Sequence, residues 1–303
     1  MLRSSQKAPY RIGAHTSIAA SLVGAAEQAL ALGCNTFQIF SRSPRMWRSP
    51  PLDPEAVAQL KAFRAERDLT PLVIHGNYLT NMAAADPVIR RFSIKAFRDE
   101  VTRARAIGAE YLVIHPGSFR GQTLEQAIVV LADSIAAAAK GLRWDGLRLL
   151  LENTAGGGQT IGRDFPELAA IRERIENKCA IPAGFCIDTA HCFAAGFDVS
   201  TAAGLEETLG RINEFLGLEN VPVIHANDSR TPLGSRVDRH EHIGEGGIGR
   251  EGFRRILHHS KLRGKAFILE TPVGEDGTHS RNVKALKALL RRPRAHHAAD
   301  RRQ

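Results

Sequence analysis

Six short apolar runs each end in a residue able to bind a metal ion. Leu72-Val73-Ile74 leads into His75, Leu112-Val113-Ile114 into His115, and Leu149-Leu150-Leu151 into Glu152. Phe185-Cys186-Ile187 leads into Asp188, Val221-Pro222-Val223-Ile224 into His225, and Phe267-Ile268-Leu269 into Glu270. A seventh run, ending Gly13-Ala14, leads to His15. A lone His after an apolar run is usually structural, but repetition at this many run ends is not coincidence. Carboxylates gathered at one place repel each other, and a cation relieves that repulsion. Imidazole nitrogen mixed with carboxylate oxygen suits zinc, manganese or iron(II) and argues against calcium.

Two further groups extend the set. His191 follows three residues after Asp188, while Asp238 and His240 stand two apart, which puts them on one side of an extended segment. The cysteines, Cys34, Cys179, Cys186 and Cys192, make no Cys-x-x-Cys pair. That argues against a thiolate zinc cage and implies no disulfide framework. His242, His258, His259, His279, His296 and His297 lack comparable surroundings and read as solvated or structural.

Seven run ends can converge only if the runs are parallel strands. The strand candidates are Tyr10–Ala14, Thr36–Phe40, Pro71–Ile74, Tyr111–Ile114, Arg148–Leu151, Gly184–Ile187, Pro222–Ile224 and Ala266–Leu269. Helical patterns alternate with them: Ser17–Leu32, Pro54–Asp68, Pro87–Ile107, Leu124–Lys140, Phe165–Ile175, Leu205–Leu216, Glu251–His258 and Lys284–Arg291. Asp53-Pro54 and Asp86-Pro87 read as N-caps followed by Pro, Asp164 with Glu167 as a capping box, and Gly33, Gly108 and Gly141 as helix stops. Eight strand–helix repeats predict an α/β fold, the TIM (β/α)8 barrel, whose active sites lie at the C-terminal ends of the strands. Such a barrel needs ~250 residues, so the 303-residue chain divides into a single barrel domain over 1–291 and a basic, disordered tail over 292–303.

The net charge of +9 favours an anionic partner, nucleic acid being the common case. Part of that excess is the five Arg against one Asp between Arg291 and Arg302. Met1 to Tyr10 carries no apolar run of a signal peptide, and no run is long enough to span a membrane. The expectation is a cytoplasmic protein.

These segments resemble the endonuclease IV family of apurinic/apyrimidinic endonucleases from about Ile12 to Pro272. The carrying motifs are GAHTS (Gly13–Ser17), FSRSPRMW (Phe40–Trp47), HGNYLTN (His75–Asn81), HPGS (His115–Ser118) and ENTAGGG (Glu152–Gly158). CIDTAHCFAAGFD (Cys186–Asp198), GSRVDRHEHIGEG (Gly234–Gly246) and LETP (Leu269–Pro272) complete them. The resemblance implies a xylose-isomerase-like barrel holding three zinc ions, with manganese an alternative at one site. By motif, His75, His115 and Glu152 hold the first ion. Glu152 bridges to a second, completed by Asp188, His225 and Glu270, and His191, Asp238 and His240 hold the third. The implied reaction is hydrolysis of the phosphodiester 5′ to an abasic site in double-stranded DNA, leaving a 3′-hydroxyl and a 5′-deoxyribose phosphate. Blocked 3′ ends are a second implied substrate, and one chain acts as a monomer. Glu152 positions the nucleophile as well as bridging metals. Arg45, Tyr78 and Leu79 enter the DNA gap, Trp47 packs under their loop, and Arg42, Arg230, Arg236 and Arg239 are candidates for phosphate contacts. His15 is expected to hydrogen-bond a ligand. The sequence departs from the family at Ala20-Ser21, Arg42-Ser43 and Ala226, none of them a ligand position.

Two alternatives stand beside this reading. A metal-dependent sugar isomerase or epimerase on a similar barrel shares strand-end ligands but has no need of His191, Asp238 and His240 as a third group. A non-catalytic DNA-binding protein has no need of the ligand set at all.

Overall fold

The structure, a computed structural model, describes residues 10–291. The expected basic tail over 292–303 lies outside them, as do His296 and His297. Eight strands form the central sheet: β1 (Arg11–Ala14), β2 (Phe37–Phe40), β3 (Leu72–His75), β4 (Tyr111–Ile114), β5 (Arg148–Glu152), β6 (Ala183–Asp188), β7 (Val223–His225) and β8 (Ala266–Leu269). Each pairs parallel with the next from β2 to β8, and β8 pairs parallel with β1. The ring closes through a parallel bridge between His15 and Gln38, where the Thr16 N–H donates to the Gln38 carbonyl at 2.8 Å. Gly13 allows this closure, because a Cβ there would lie 2.1 Å from the Thr36 carbonyl oxygen. The expected TIM barrel is thus the observed fold.

Alternation along the strands sets what the barrel holds. Val73, Val113, Leu150, Cys186, Val223, Ala266 and Ile268 form an apolar plug inside the ring. The intervening residues, Leu72, Ile74, Leu112, Ile114, Leu149 and Leu151 among them, pack outward in the larger core that also takes in the helices. Each fully buried Leu or Ile stabilises the fold by ~1.5–3 kcal/mol. Two residues beyond the plug, the inward positions are His75, His115, Glu152, Asp188, His225 and Glu270. The polar site is therefore the next layer of the barrel interior above an apolar floor.

Helices follow the strands with the expected caps. The Asp53 carboxylate accepts the Glu55 N–H, and the Asp86 carboxylate accepts the Val88 and Ile89 N–H groups. The Pro87–Ile107 helix stops at Gly108, whose φ of 80° suits glycine. One cap differs from expectation. Glu167 accepts the Gly162 N–H at 2.8 Å instead of reaching back to Asp164, whose carboxylate takes the Phe165 N–H. The turn at Gly162 delivers that amide to Glu167. A capping box forms at Thr123 and Gln126, a pair the sequence reading passed over. Two small elements were also unread: a helix over Thr189–Ala195 and a hairpin pairing Asp228–Ser229 with His240–Glu241. No helix among the described residues is long and apolar enough to cross a membrane.

Candidate metal centre

The strand ends bring the anticipated donors together. His75 Nε2 lies 3.4 Å and His115 Nε2 3.1 Å from Glu152 Oε2. The other carboxylate oxygen, Glu152 Oε1, lies 2.8 Å from His225 Nδ1, which is 3.2 Å from Glu270 Oε2. Asp188 joins Glu152, His225 and Glu270 within 4.8 Å. Glu152 thus belongs to two groups at once. In the third, His191 Nε2 lies 3.2 Å from Asp238 Oδ2, and His240 Nε2 lies 3.4 Å from Asp238 Oδ1 and 3.7 Å from Asp188 Oδ2. Asp188 therefore stands between the second and third groups, which the motif assignment did not foresee.

Two observations fit this donor set to metal ions. Glu152 Oε2 and His240 Nε2 are buried and face donors and carboxylates of their own groups without forming an aligned hydrogen bond among the described residues. Leaving such atoms unsatisfied costs ~1–3 kcal/mol each, more for a charged group. Donors ~2.0–2.1 Å from a tetrahedral zinc stand ~3.3 Å apart. The donor separations of 3.1 to 3.4 Å within the first and third groups match that spacing.

The rings are aimed by their other nitrogens. His75 Nδ1 lies 2.9 Å from the Gly76 carbonyl, His191 Nδ1 2.9 Å from the Asn153 carbonyl, and His240 Nδ1 3.1 Å from the Glu270 carbonyl. Each Nδ1–H donates to main chain and leaves Nε2 facing the site, as ligating histidines do. His225 is turned the other way, with Nδ1 toward the carboxylates and Nε2 2.9 Å from Gln38 Oε1. Carboxylates are braced similarly. The Asn227 amide donates to Asp188 Oδ2 at 2.6 Å, and Asn227 Oδ1 accepts the Glu270 N–H at 2.8 Å. Asn153 Oδ1 accepts the Asp188 N–H at 2.7 Å. Gln38, Asn153 and Asn227 are all buried. None of them carries a chemistry of its own in the sequence; the only signals are that Gln38 interrupts an apolar run, Asn153 follows Glu152 directly and Asn227 lies two residues past His225. His15, expected to hydrogen-bond a ligand, instead has Nδ1 3.0 Å from Gln38 Nε2, with Glu270 Oε1 farther off at 3.7 Å.

Charge in the site is arranged for cations. Burial opposes ionisation of Glu152, yet His225 and His115 hold its carboxyl well below the usual range. Burial opposes Glu270 likewise, and His225 again lowers it. Burial disfavours a charged His191, but Asp188 and Asp238 outweigh it and push the imidazole up to about 10. Asp238 falls to about 2 against the effect of burial, held down by His191.

Above the donors lies an exposed rim. Tyr78 is 66% exposed and Leu79 36%, and the Tyr78 ring centroid lies 5.8 Å from that of His75. Arg45 is exposed on the neighbouring loop, and Arg230, Arg236 and Arg239 are exposed on the long loop after β7. Asn77, unread from the sequence, joins the first two loops. Its Nδ2 donates to the Met46 carbonyl at 2.9 Å and its Oδ1 accepts the Leu79 N–H at 2.7 Å. The long loop is pinned by buried Asp228, which accepts N–H groups from Gly244, Gly246 and Ile248. Two expectations are corrected. Arg42 is buried and paired with Glu100 at 3.2 Å and Asp99 at 2.9 Å, so it faces the protein and not a phosphate. Trp47 is 38% exposed and lies against Phe92, on the surface of its loop instead of beneath it.

Comparison with known proteins agrees with this architecture. Residues 26–292 match the family model described as "Xylose isomerase-like TIM barrel". The chain is 56% identical over 279 residues to "Probable endonuclease 4" of Solibacter usitatus, covering 92% of this chain and 96% of that one. It is 41% identical over 292 residues to "Endonuclease 4" of Thermus thermophilus, covering 92% and 98%. A crystal structure of endonuclease IV from Thermus thermophilus superposes with a TM-score of 0.81 at 39% identity, over 92% of this chain and 98% of that one. A D-tagatose 3-epimerase-like protein shares the fold with a TM-score of 0.66 at 18% identity, over 92% of this chain and 97% of that one.

Proposed function

The chain belongs to the endonuclease IV family, and from that premise we propose that it hydrolyses the phosphodiester 5′ to apurinic/apyrimidinic sites in duplex DNA. The products are a 3′-hydroxyl and a 5′-deoxyribose phosphate, and blocked 3′ ends are a second substrate. The observation that carries this reading is the set of three donor groups, two of them sharing Glu152, beneath an exposed aromatic and basic rim. The first group would be His75, His115 and Glu152, the second Glu152, Asp188, His225 and Glu270, and the third His191, Asp238 and His240, with Asp188 beside it. Three zinc ions, one replaceable by manganese, would supply water activation near neutral pH and neutralise charge developing on the phosphoryl oxygens.

The protein's own residues do the rest. Glu152 places one carboxylate oxygen toward His75 and His115 and the other toward His225, and so fixes where the attacking water is held relative to the phosphorus. Asn153 and Asn227 hold Asp188 against recoil as charge builds. Tyr78, Leu79 and Arg45 fill the gap at the abasic position, where opening the duplex costs least because pairing is already lost. Arg230, Arg236 and Arg239 reach backbone phosphates. A sugar epimerase on this barrel would leave the third group without a task.

The test is incision of a duplex carrying one tetrahydrofuran abasic analogue, with zinc-loaded and chelator-stripped protein side by side. The expected result is a single 5′ cut leaving a 3′-hydroxyl, lost on stripping and regained with zinc. Folded, zinc-loaded protein that leaves the duplex intact overturns the proposal and turns attention to ketose and aldose substrates.

A further inference from the structure

We propose that Gln38 is a positioning residue that decides which ring nitrogen His225 offers to the metal centre and braces Glu270 beside it. The inference rests on the metal-centre reading above. Gln38 stands at an inward position of β2, in a strand that otherwise reads Phe-Ile-Phe, and is wholly buried. A buried amide has two N–H donors and a carbonyl to satisfy. Gln38 Oε1 lies 2.9 Å from His225 Nε2, while its Nε2 lies 3.0 Å from His15 Nδ1 and donates to Glu270 Oε1. All its polar atoms are therefore committed to the site.

The direction of the amide follows from its partners. An ionised Glu270 carboxylate only accepts hydrogen bonds, so the group facing it must be the Gln38 NH2. Reversing the amide would set its oxygen against the Glu270 oxygen. With the NH2 fixed there, the carbonyl faces His225 Nε2, and that nitrogen must carry a proton. The nitrogen left for a metal ion is then Nδ1, which lies 2.8 Å from Glu152 Oε1 and 3.2 Å from Glu270 Oε2 and would give up its proton on binding the ion. His75, His191 and His240 reach the opposite arrangement because main-chain carbonyls take their Nδ1–H groups. A side chain does for His225 what main chain does for the others.

The side-chain role is separable from the structural one. Gln38 also closes the barrel against β1, but it does so through its main-chain carbonyl, which a substitution leaves in place. Gln38→Met keeps length and bulk while removing both polar groups. Gln38→Glu keeps an acceptor for His225 but sets a second carboxylate against Glu270.

The experiment uses the full chain loaded with zinc, with zinc content measured by elemental analysis, affinity by chelator competition and the histidine ring state by 15N NMR. Wild-type protein is expected to show His225 protonated on Nε2 with zinc on Nδ1. Gln38→Met is expected to hold zinc about 10–100-fold more weakly at one site, with kcat lowered, KM for abasic duplex little changed and the circular dichroism spectrum unaltered. Gln38→Glu is expected to keep the Nε2–H form of His225. A zinc-loaded wild-type His225 carrying its proton on Nδ1 overturns the inference even if neither variant folds. Gln38→Met that binds zinc and turns over like wild type also overturns it, while the metal-centre reading stands. Wild-type protein that takes up no zinc defeats both.

Discussion

Asn77 donates to the Met46 carbonyl, 2.9 Å away, so the loop carrying Tyr78 and Leu79 is tied to the neighbouring loop carrying Arg45. The same side chain accepts the Leu79 N–H, and its second donor contact is the Ser43 carbonyl at 3.4 Å. One buried amide thus sets the spacing of the residues proposed to enter the DNA gap. Asn77→Ala removes these bonds, each worth ~0.5–1.5 kcal/mol. KM for an abasic duplex is expected to rise about tenfold, equivalent to ~1.4 kcal/mol, with zinc content unchanged. Steady-state kinetics with metal analysis checks it; an unchanged KM means the loops keep their spacing without Asn77.

Glu152 serves two donor groups, so its loss should not be local. Glu152→Gln is expected to lower kcat by ~10²–10³-fold, the scale of removing a key electrostatic group. Zinc occupancy of the first and second groups should fall together. Elemental analysis of the purified variant showing loss of one ion alone would contradict the shared role.

The response of the centre to pH has a definite sign. His191 is raised from 6.5 to about 10, so at neutral pH a zinc ion bound there would have to displace its proton. Apparent zinc affinity of the third group should therefore climb about tenfold per pH unit for that proton, levelling off near pH 10. In chelator-treated protein the same shift makes a stabilising contribution that is complete below pH 6.5 and lost as pH rises through about 10. Asp238, lowered from 3.8 to about 2, contributes above pH 3.8 and is lost as pH falls through about 2. Together they favour the fold of the metal-stripped protein most between about pH 4 and 6.5. Zinc titrations and urea unfolding across this range test both slopes.

Arg42 gives a prediction opposite to that of a phosphate contact. Burial pushes the Glu100 carboxyl upward in pKa, while Ser41 and Arg42 offset that. Removing Arg42 leaves Glu100 buried without its ion-pair partner, with only the more distant charge of Arg103 to offset it. Arg42→Met is expected to cost ~3–5 kcal/mol of stability while leaving the salt dependence of DNA binding unaltered. Denaturant unfolding and a salt titration distinguish the two roles.

Much of this centre was legible because strand chemistry is local and periodic. An apolar run followed by His, Asp or Glu fixes both the strand and the inward residue at its end, as Val73 and His75 show. The Pro87–Ile107 helix, with its Asp86 cap and Gly108 stop, was readable to the residue. The Thr189–Ala195 helix that carries His191 is too short for periodicity to reveal, and the strand pairs of the hairpin holding His240 are two residues each. Gln38, Asn77, Asn153 and Asn227 eluded the sequence because an amide announces no chemistry by itself. Their meaning comes from partners such as His225, Met46 and Asp188, far away in the chain. Arg42 was misread for the converse reason, since its partners Asp99 and Glu100 lie on the helix that follows β3.

The donors begin at His75 and end at Glu270, 195 residues apart by subtraction of their numbers. At ~5–20 residues per second of synthesis, about 10–40 s separate the appearance of the first from the last. A nascent chain in that interval holds His75, His115 and Glu152 without the strands that will enclose them. The ribosome must therefore finish β8 before the ring can close on β1, and until then the second donor group lacks Glu270.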